Sequence, residues 1–176
     1  RDNNQDKINK ALNFSIEKQT PVHINIPFSE PLYEITNSLS VNTINKLPGL
    51  NNQNIKNISS FRNKWQNSIK KIILIGVSSP EILCKKSIDL LVSDSSLLVL
   101  TENTSNVYHP SFCNKIDQLI APLTNKELKE FRPEILITIG GMIISKKIKA
   151  IFRDNKPKEH WHIGIHDAND TFFCLT

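Results

Sequence analysis

From residue 61 onward, short β-branched runs alternate with amphipathic helical stripes, and this alternation limits the possible folds more than any other feature of the sequence. The runs fall at residues 71–76, 97–101, 134–140 and near 160–163. Between them lie helical stripes: Phe61, Trp65 and Ile69; Cys84, Ile88 and Leu91; Ile116, Leu119 and Ile120; Ile144, Ile148, Ile151 and Phe152. A near-continuous apolar strand is one buried on both faces, as in a parallel sheet, and each crossover between parallel strands needs a helix. The pattern therefore predicts an α/β fold with a parallel, Rossmann-like sheet. Ser78 and Glu81 have capping-box spacing with Pro80 between them, so the helix after the first strand is expected to begin there.

Upstream, the sequence changes character. Ile8, Ala11, Leu12 and Ile16 share one stripe over residues 7–17, which predicts an amphipathic helix. Val22, Ile24 and Ile26 alternate with polar residues until Pro27, which predicts a short strand. This αβ unit is too small to fold alone. The stretch that follows is polar and rich in asparagine, with Pro48-Gly49 and Asn51-Asn52, and reads as a linker whose isolated Ile and Leu residues pin it to a domain surface. The expected organisation is residues 1–34, the end of one domain; 35–60, a linker; 61–165, the α/β domain; and 166–176, the start of a further linker. A length of 176 residues suits one core with an attached piece of another.

Composition removes several classes of function. No apolar run reaches membrane-spanning length, and the opening Arg1-Asp2-Asn3-Asn4 has neither a signal-peptide order nor an initiating Met, so the chain reads as cytoplasmic and truncated. Cys84, Cys113 and Cys174 are scattered, without C-x-x-C spacing, and read as idle or buried thiols. The formal charge of +5 comes from lysines spread along the chain, and no aromatic residues interleave with them as on an RNA-binding strand. The N-x-S/T triplets at Asn57 and Asn103 would matter only in a secreted protein.

Three constellations have chemical potential. Gly140-Gly141 at the carboxyl end of the third strand, followed by Ser145-Lys146-Lys147, marks the strand-to-helix edge where open α/β sheets bind ligands. Two lysines in a first helical turn oppose the positive helix end, and an anion between them would relieve the conflict. The alternative is that both lysines point into water. His160-Trp161-His162, with His166, Asp167 and Asp170, places two histidines on one strand face, yet lacks a zinc-ligand spacing. Trp161 is then a core residue and the histidines make ordinary polar contacts. Residues 76–80 run from a strand into a helix but have one glycine, and Pro80 removes an N–H, so a phosphate cradle is not expected. No spacing supports covalent catalysis.

Residues 21–34, of the form P-V-H-x-N-x-P-x-x-E-P-L, resemble the end of the pyrimidine-binding domain in thiamine-diphosphate enzymes. Residues 101–106, Gly140-Gly141 with Ser145-Lys146-Lys147, and residues 157–163 resemble, within that superfamily, the 2-succinyl-5-enolpyruvyl-6-hydroxy-3-cyclohexene-1-carboxylate synthases. The resemblance covers nearly the whole chain and implies a middle domain of an enzyme of menaquinone biosynthesis. It implies a transferase that decarboxylates 2-oxoglutarate on thiamine diphosphate with Mg2+ and adds the product to isochorismate. It also implies that Lys146 and Lys147 contact substrate, with Lys147 standing where many relatives carry arginine and so lacking the bidentate fork. The family's activating glutamate and its G-D-G metal motif have no counterpart in this sequence. No cofactor, metal or catalytic residue is therefore expected in this chain alone. Partners implied are both substrates, the remaining domains and a second copy of the enzyme in a dimer or tetramer, without nucleic acid or membrane. The competing reading is a stand-alone anion- or RNA-binding α/β module.

Overall fold

A computed structural model describes residues 2–18, 20–30, 33, 35, 37–38, 58–164 and 168–176. The chain divides into two compact units, residues 1–55 and 56–176.

In the first unit, α1 (Asp2–Lys18) covers the expected helix and extends it by a turn toward the N-terminus. Its closing turn is held by Ser15, whose hydroxyl donates to the Thr20 carbonyl at 2.8 Å. Ile8, Leu12 and Ile16 are exposed. The strand expected over Val22, Ile24 and Ile26 does not form. Alternation specifies which face each side chain takes, but a strand also needs a neighbour for its N–H and C=O groups, and none pairs with it among the described residues. Most of the expected linker lies outside the described residues.

The second unit is a four-stranded parallel sheet, confirming the α/β reading. Its strands are β1 (Lys71–Ile75), β2 (Leu97–Thr101), β3 (Ile135–Ile139) and β4 (Glu159–Ile163), in the order β2-β1-β3-β4. Every residue of the central strands β1 and β3 is buried. Since successive strand residues face opposite sides, Ile72, Leu74 and Leu136 point to one layer while Ile73, Ile75, Ile135, Ile137 and Ile139 point to the other. The first layer is covered by α4 (Ile116–Ile120) and α6 (Lys146–Asp154), with Ile148 and Phe152 completely buried. The second is covered by Trp65 of α2 (Ile58–Asn67) and by Ile88 and Leu91 of α3 (Lys85–Ser93). Ile69 lies beyond α2 and is exposed, contrary to the stripe assigned to it.

Lys71 is a buried cation at the start of β1. Asp94 meets its ammonium at 2.7 Å, and the Trp65 ring lies under it at 4.4 Å. The hydrogen bond from Lys71 holds the Asp94 carboxyl below its usual range. Parts of residues 168–176 meet the sheet edge. Phe172 is fully buried among the core residues, and the Thr176 amide donates to the His160 carbonyl at 2.9 Å.

α3 starts later than its sequence signal. Ser78 gives its hydroxyl to the Ser105 carbonyl and caps nothing, while Glu81 has a left-handed φ of 68° that no helix residue adopts. A real capping box occurs instead at Thr124 and Glu127, opening α5 (Asn125–Glu130).

Candidate functional site

The carboxyl ends of β1 and β3 face the point where the strand order reverses, the usual ligand crevice of an open parallel sheet. In this chain the protein's own backbone fills it. A Cβ on Gly76 would lie 2.3 Å from the Gly141 carbonyl, and one on Gly140 2.9 Å from the Val77 carbonyl. The amides of Gly76, Val77 and Ser78 donate to the carbonyls of Ile139, Met142 and Thr104 at 2.9, 3.0 and 3.1 Å. The donors a phosphate would need are therefore used, as the single glycine and Pro80 at residues 76–80 led one to expect. The glycine pair serves close loop packing, with Gly140 at φ 79°, and aims the chain into α6.

The approach to α6 is fixed by two carboxylates. Glu102, just past the end of β2, accepts the Ile144 amide at 2.8 and 3.1 Å through its two oxygens and the Ser145 amide at 2.6 Å. Asp117 of α4 accepts the Ser145 hydroxyl. The Ser145 oxygen in turn accepts from the Ile148 amide at 3.2 Å, making it the N-cap. Glu102 and Asp117, with Thr101, Asn114, Ile144 and Ser145, line an open cleft of about 540 Å³ beside the helix start.

Lys146 and Lys147 are the first two residues of α6, and both are exposed. Neither forms an ion pair among the described residues. Two cations at a positive helix end call for an anion to offset them. Glu102 and Asp117 supply negative charge there from within, through Ile144 and Ser145. No spacing rule marks Glu102, because the residues it joins are 42 apart in sequence. Ile144, placed on the helical stripe by its spacing, lies ahead of the helix and is half-exposed.

His160 and His162 both meet one threonine on the neighbouring strand. Thr138 Oγ1 lies 2.9 Å from His160 Nε2 and 3.0 Å from His162 Nδ1. Its single proton can serve only one ring, so the other ring donates to its oxygen. His160 is 1% exposed, its Nδ1 has no partner among the described residues, and burial pushes its pKa down to about 4. Trp161 is buried and edge-on to Phe61 at 5.0 Å between centroids. Among the described residues no group of three or more His, Cys, Asp and Glu could hold a metal, and His166 and Asp167 lie outside them. Cys84, expected to be idle or buried, is exposed, and its hydrogen bonds with Ser87 lower its pKa.

A second concave region, of about 440 Å³, is lined by Lys129, Arg132, Arg153, Asp154, Asn155 and Lys156. Lys129 and Arg153 stand in the last turns of α5 and α6, where cations complement the negative helix end. The region therefore has a structural explanation.

No protein-family model matches the chain. Curated relatives do. The chain is 47% identical over 175 residues to the 2-succinyl-5-enolpyruvyl-6-hydroxy-3-cyclohexene-1-carboxylate synthase of Flavobacterium psychrophilum, covering 98% of this chain and 32% of that protein. It is 45% identical over 173 residues to the synthase of the same name from Flavobacterium johnsoniae, covering 97% and 31%. The corresponding figures for Christiangramia forsetii are 40% over 179 residues, covering 98% and 31%. The chain spans about a third of the length of these relatives.

Proposed function

We propose that this chain, which belongs to the 2-succinyl-5-enolpyruvyl-6-hydroxy-3-cyclohexene-1-carboxylate synthase family, is the middle α/β part of a thiamine-diphosphate-dependent enzyme of menaquinone biosynthesis. In the proposed reaction 2-oxoglutarate loses CO2 and its remaining four-carbon unit is added to isochorismate. Both substrates are carboxylates. The observation supporting the reading is the 40–47% identity to these synthases over nearly the whole chain, with the exposed pair Lys146-Lys147 opening α6 at the carboxyl end of the sheet as the candidate substrate contact.

The described residues do not fit the cofactor. They contain no carboxylate cluster for Mg2+, and the sequence contains no G-D-G. Thiamine diphosphate and its metal are accordingly assigned to other parts of the enzyme. What this chain contributes is electrostatic: two exposed ammonium groups attract a substrate carboxylate. Lys146 is assigned the larger share, because Lys147 presents a point charge where a planar fork is the stronger carboxylate partner.

The test is Lys146→Ala in the full-length synthase. The KM for isochorismate should rise about tenfold, the value for one charge-assisted contact, with affinity for thiamine diphosphate unchanged. An unaltered isochorismate KM removes Lys146 from the site.

A further inference from the structure

The geometry points to Glu102 as the positioning residue of the substrate-facing lysine pair, an inference that rests on the reading of Lys146-Lys147 given above. Its carboxylate accepts the two backbone amides immediately before Lys146, those of Ile144 and Ser145, at 2.8 and 2.6 Å. These N–H groups precede the helix, where no intrahelical acceptor exists for them. With an acceptor held just past the end of β2, the loop from Gly140 arrives at α6 in one register.

Glu102 is itself held from several sides. Its own amide donates to Ser105 Oγ at 2.8 Å, and that hydroxyl donates to the Ile75 carbonyl at the end of β1. Ser105 is completely buried. The next residue, Asn106, takes a left-handed φ of 52° and sends its side-chain amide to the Ser78 carbonyl at 2.6 Å. One carboxylate therefore ties the helix start to the ends of both β1 and β2. A side chain that only filled space would not need two charged acceptors at two successive amides.

The charge has a second consequence. Glu102 carries its negative charge to the positive end of α6, where two cations stand in the first turn, and so lowers the cost of keeping both ammonium groups there. It does so through the backbone, forming no ion pair with either lysine, and leaves both ammonium groups available to a substrate carboxylate.

Glu102→Gln keeps the shape, removes the charge and replaces one acceptor oxygen by a donor facing an N–H. In the full-length synthase this substitution should raise the isochorismate KM about tenfold, since one charged hydrogen-bond partner is lost. The kcat and the KM for 2-oxoglutarate should stay within about twofold, a split that general destabilisation would not produce. Glu102→Asp, shorter by one methylene yet still charged, should fall between the two, and Lys146→Ala combined with Glu102→Gln should raise the KM no further than Lys146→Ala alone. If Lys146→Ala raises the KM and Glu102→Gln does not, Glu102 has no positioning role and the lysine assignment stands. If Lys146→Ala itself has no effect, the functional reading falls first. Failure of both Glu102 variants to fold makes the residue a folding determinant and overturns the inference.

Discussion

At the scale of single residues, Gly76 has no side chain because the Gly141 carbonyl occupies the space a Cβ would take, at 2.3 Å. A backbone oxygen cannot move aside as a flexible side chain can, so Gly76→Ala should destabilise the chain by about 3 kcal/mol, at the upper end of overpacking costs. Urea denaturation of the chain measures this as a lower midpoint. His160 gives a pH signature. Its folded pKa of about 4 lies below the usual 6.5, so the unfolded state binds more protons in the interval between them. Stability from this group is complete above pH 6.5 and is lost as the pH falls toward 4, by at most about 3 kcal/mol. Nearby, Asp170 opposes the shift and His162 adds to it, while Thr138 and Phe172 are uncharged. Carboxylates such as Asp94, with pKa values already low, lose their contribution at lower pH. Unfolding followed at pH 7 and pH 5 should show the drop, and His160→Gln should reduce it, leaving the part due to His162, whose pKa burial also lowers.

At the scale of elements, the alternation of apolar runs locates all four strands of the sheet within a residue or two, because central parallel strands are buried on both faces and have to be apolar throughout. Helix starts are less legible. The S/T-x-x-E spacing occurs at Ser78 and Glu81, where it caps nothing, and at Thr124 and Glu127, where both reciprocal hydrogen bonds form. The local sequence is equivalent, but the Ser78 hydroxyl is taken by a carbonyl 27 residues away. Long-range partners also explain why no local pattern marks Glu102, while Gly140-Gly141 and Lys146-Lys147 stand out as neighbours in sequence. The strand expected at Val22 shows the converse, a correct pattern without a partner among the described residues. Ser145, whose side chain caps α6 while its hydroxyl reaches Asp117, should be sensitive in a way its neighbours are not. Ser145→Ala should cost about 1 kcal/mol or slightly more, measured by chemical denaturation.

At the scale of the whole molecule, the sheet and its helices supply a frame that carries the exposed lysine pair at the start of α6. Two exposed ammonium groups each contribute about 1 kcal/mol or less to an ion pair in water. Together they would hold a dicarboxylate only at millimolar concentrations or above. Efficient substrate binding then needs walls that exclude water, which the open cleft beside α6 does not offer. Titration of the 176-residue chain with isochorismate should therefore show dissociation in the millimolar range or weaker, and titration with thiamine diphosphate and Mg2+ should show no saturable heat. The same chain should catalyse no carboligation. Micromolar binding of either molecule by this chain would mean that a complete site already exists within it, and would displace the proposed division of labour, in which this domain helps attract substrate while other parts of the enzyme hold the cofactor.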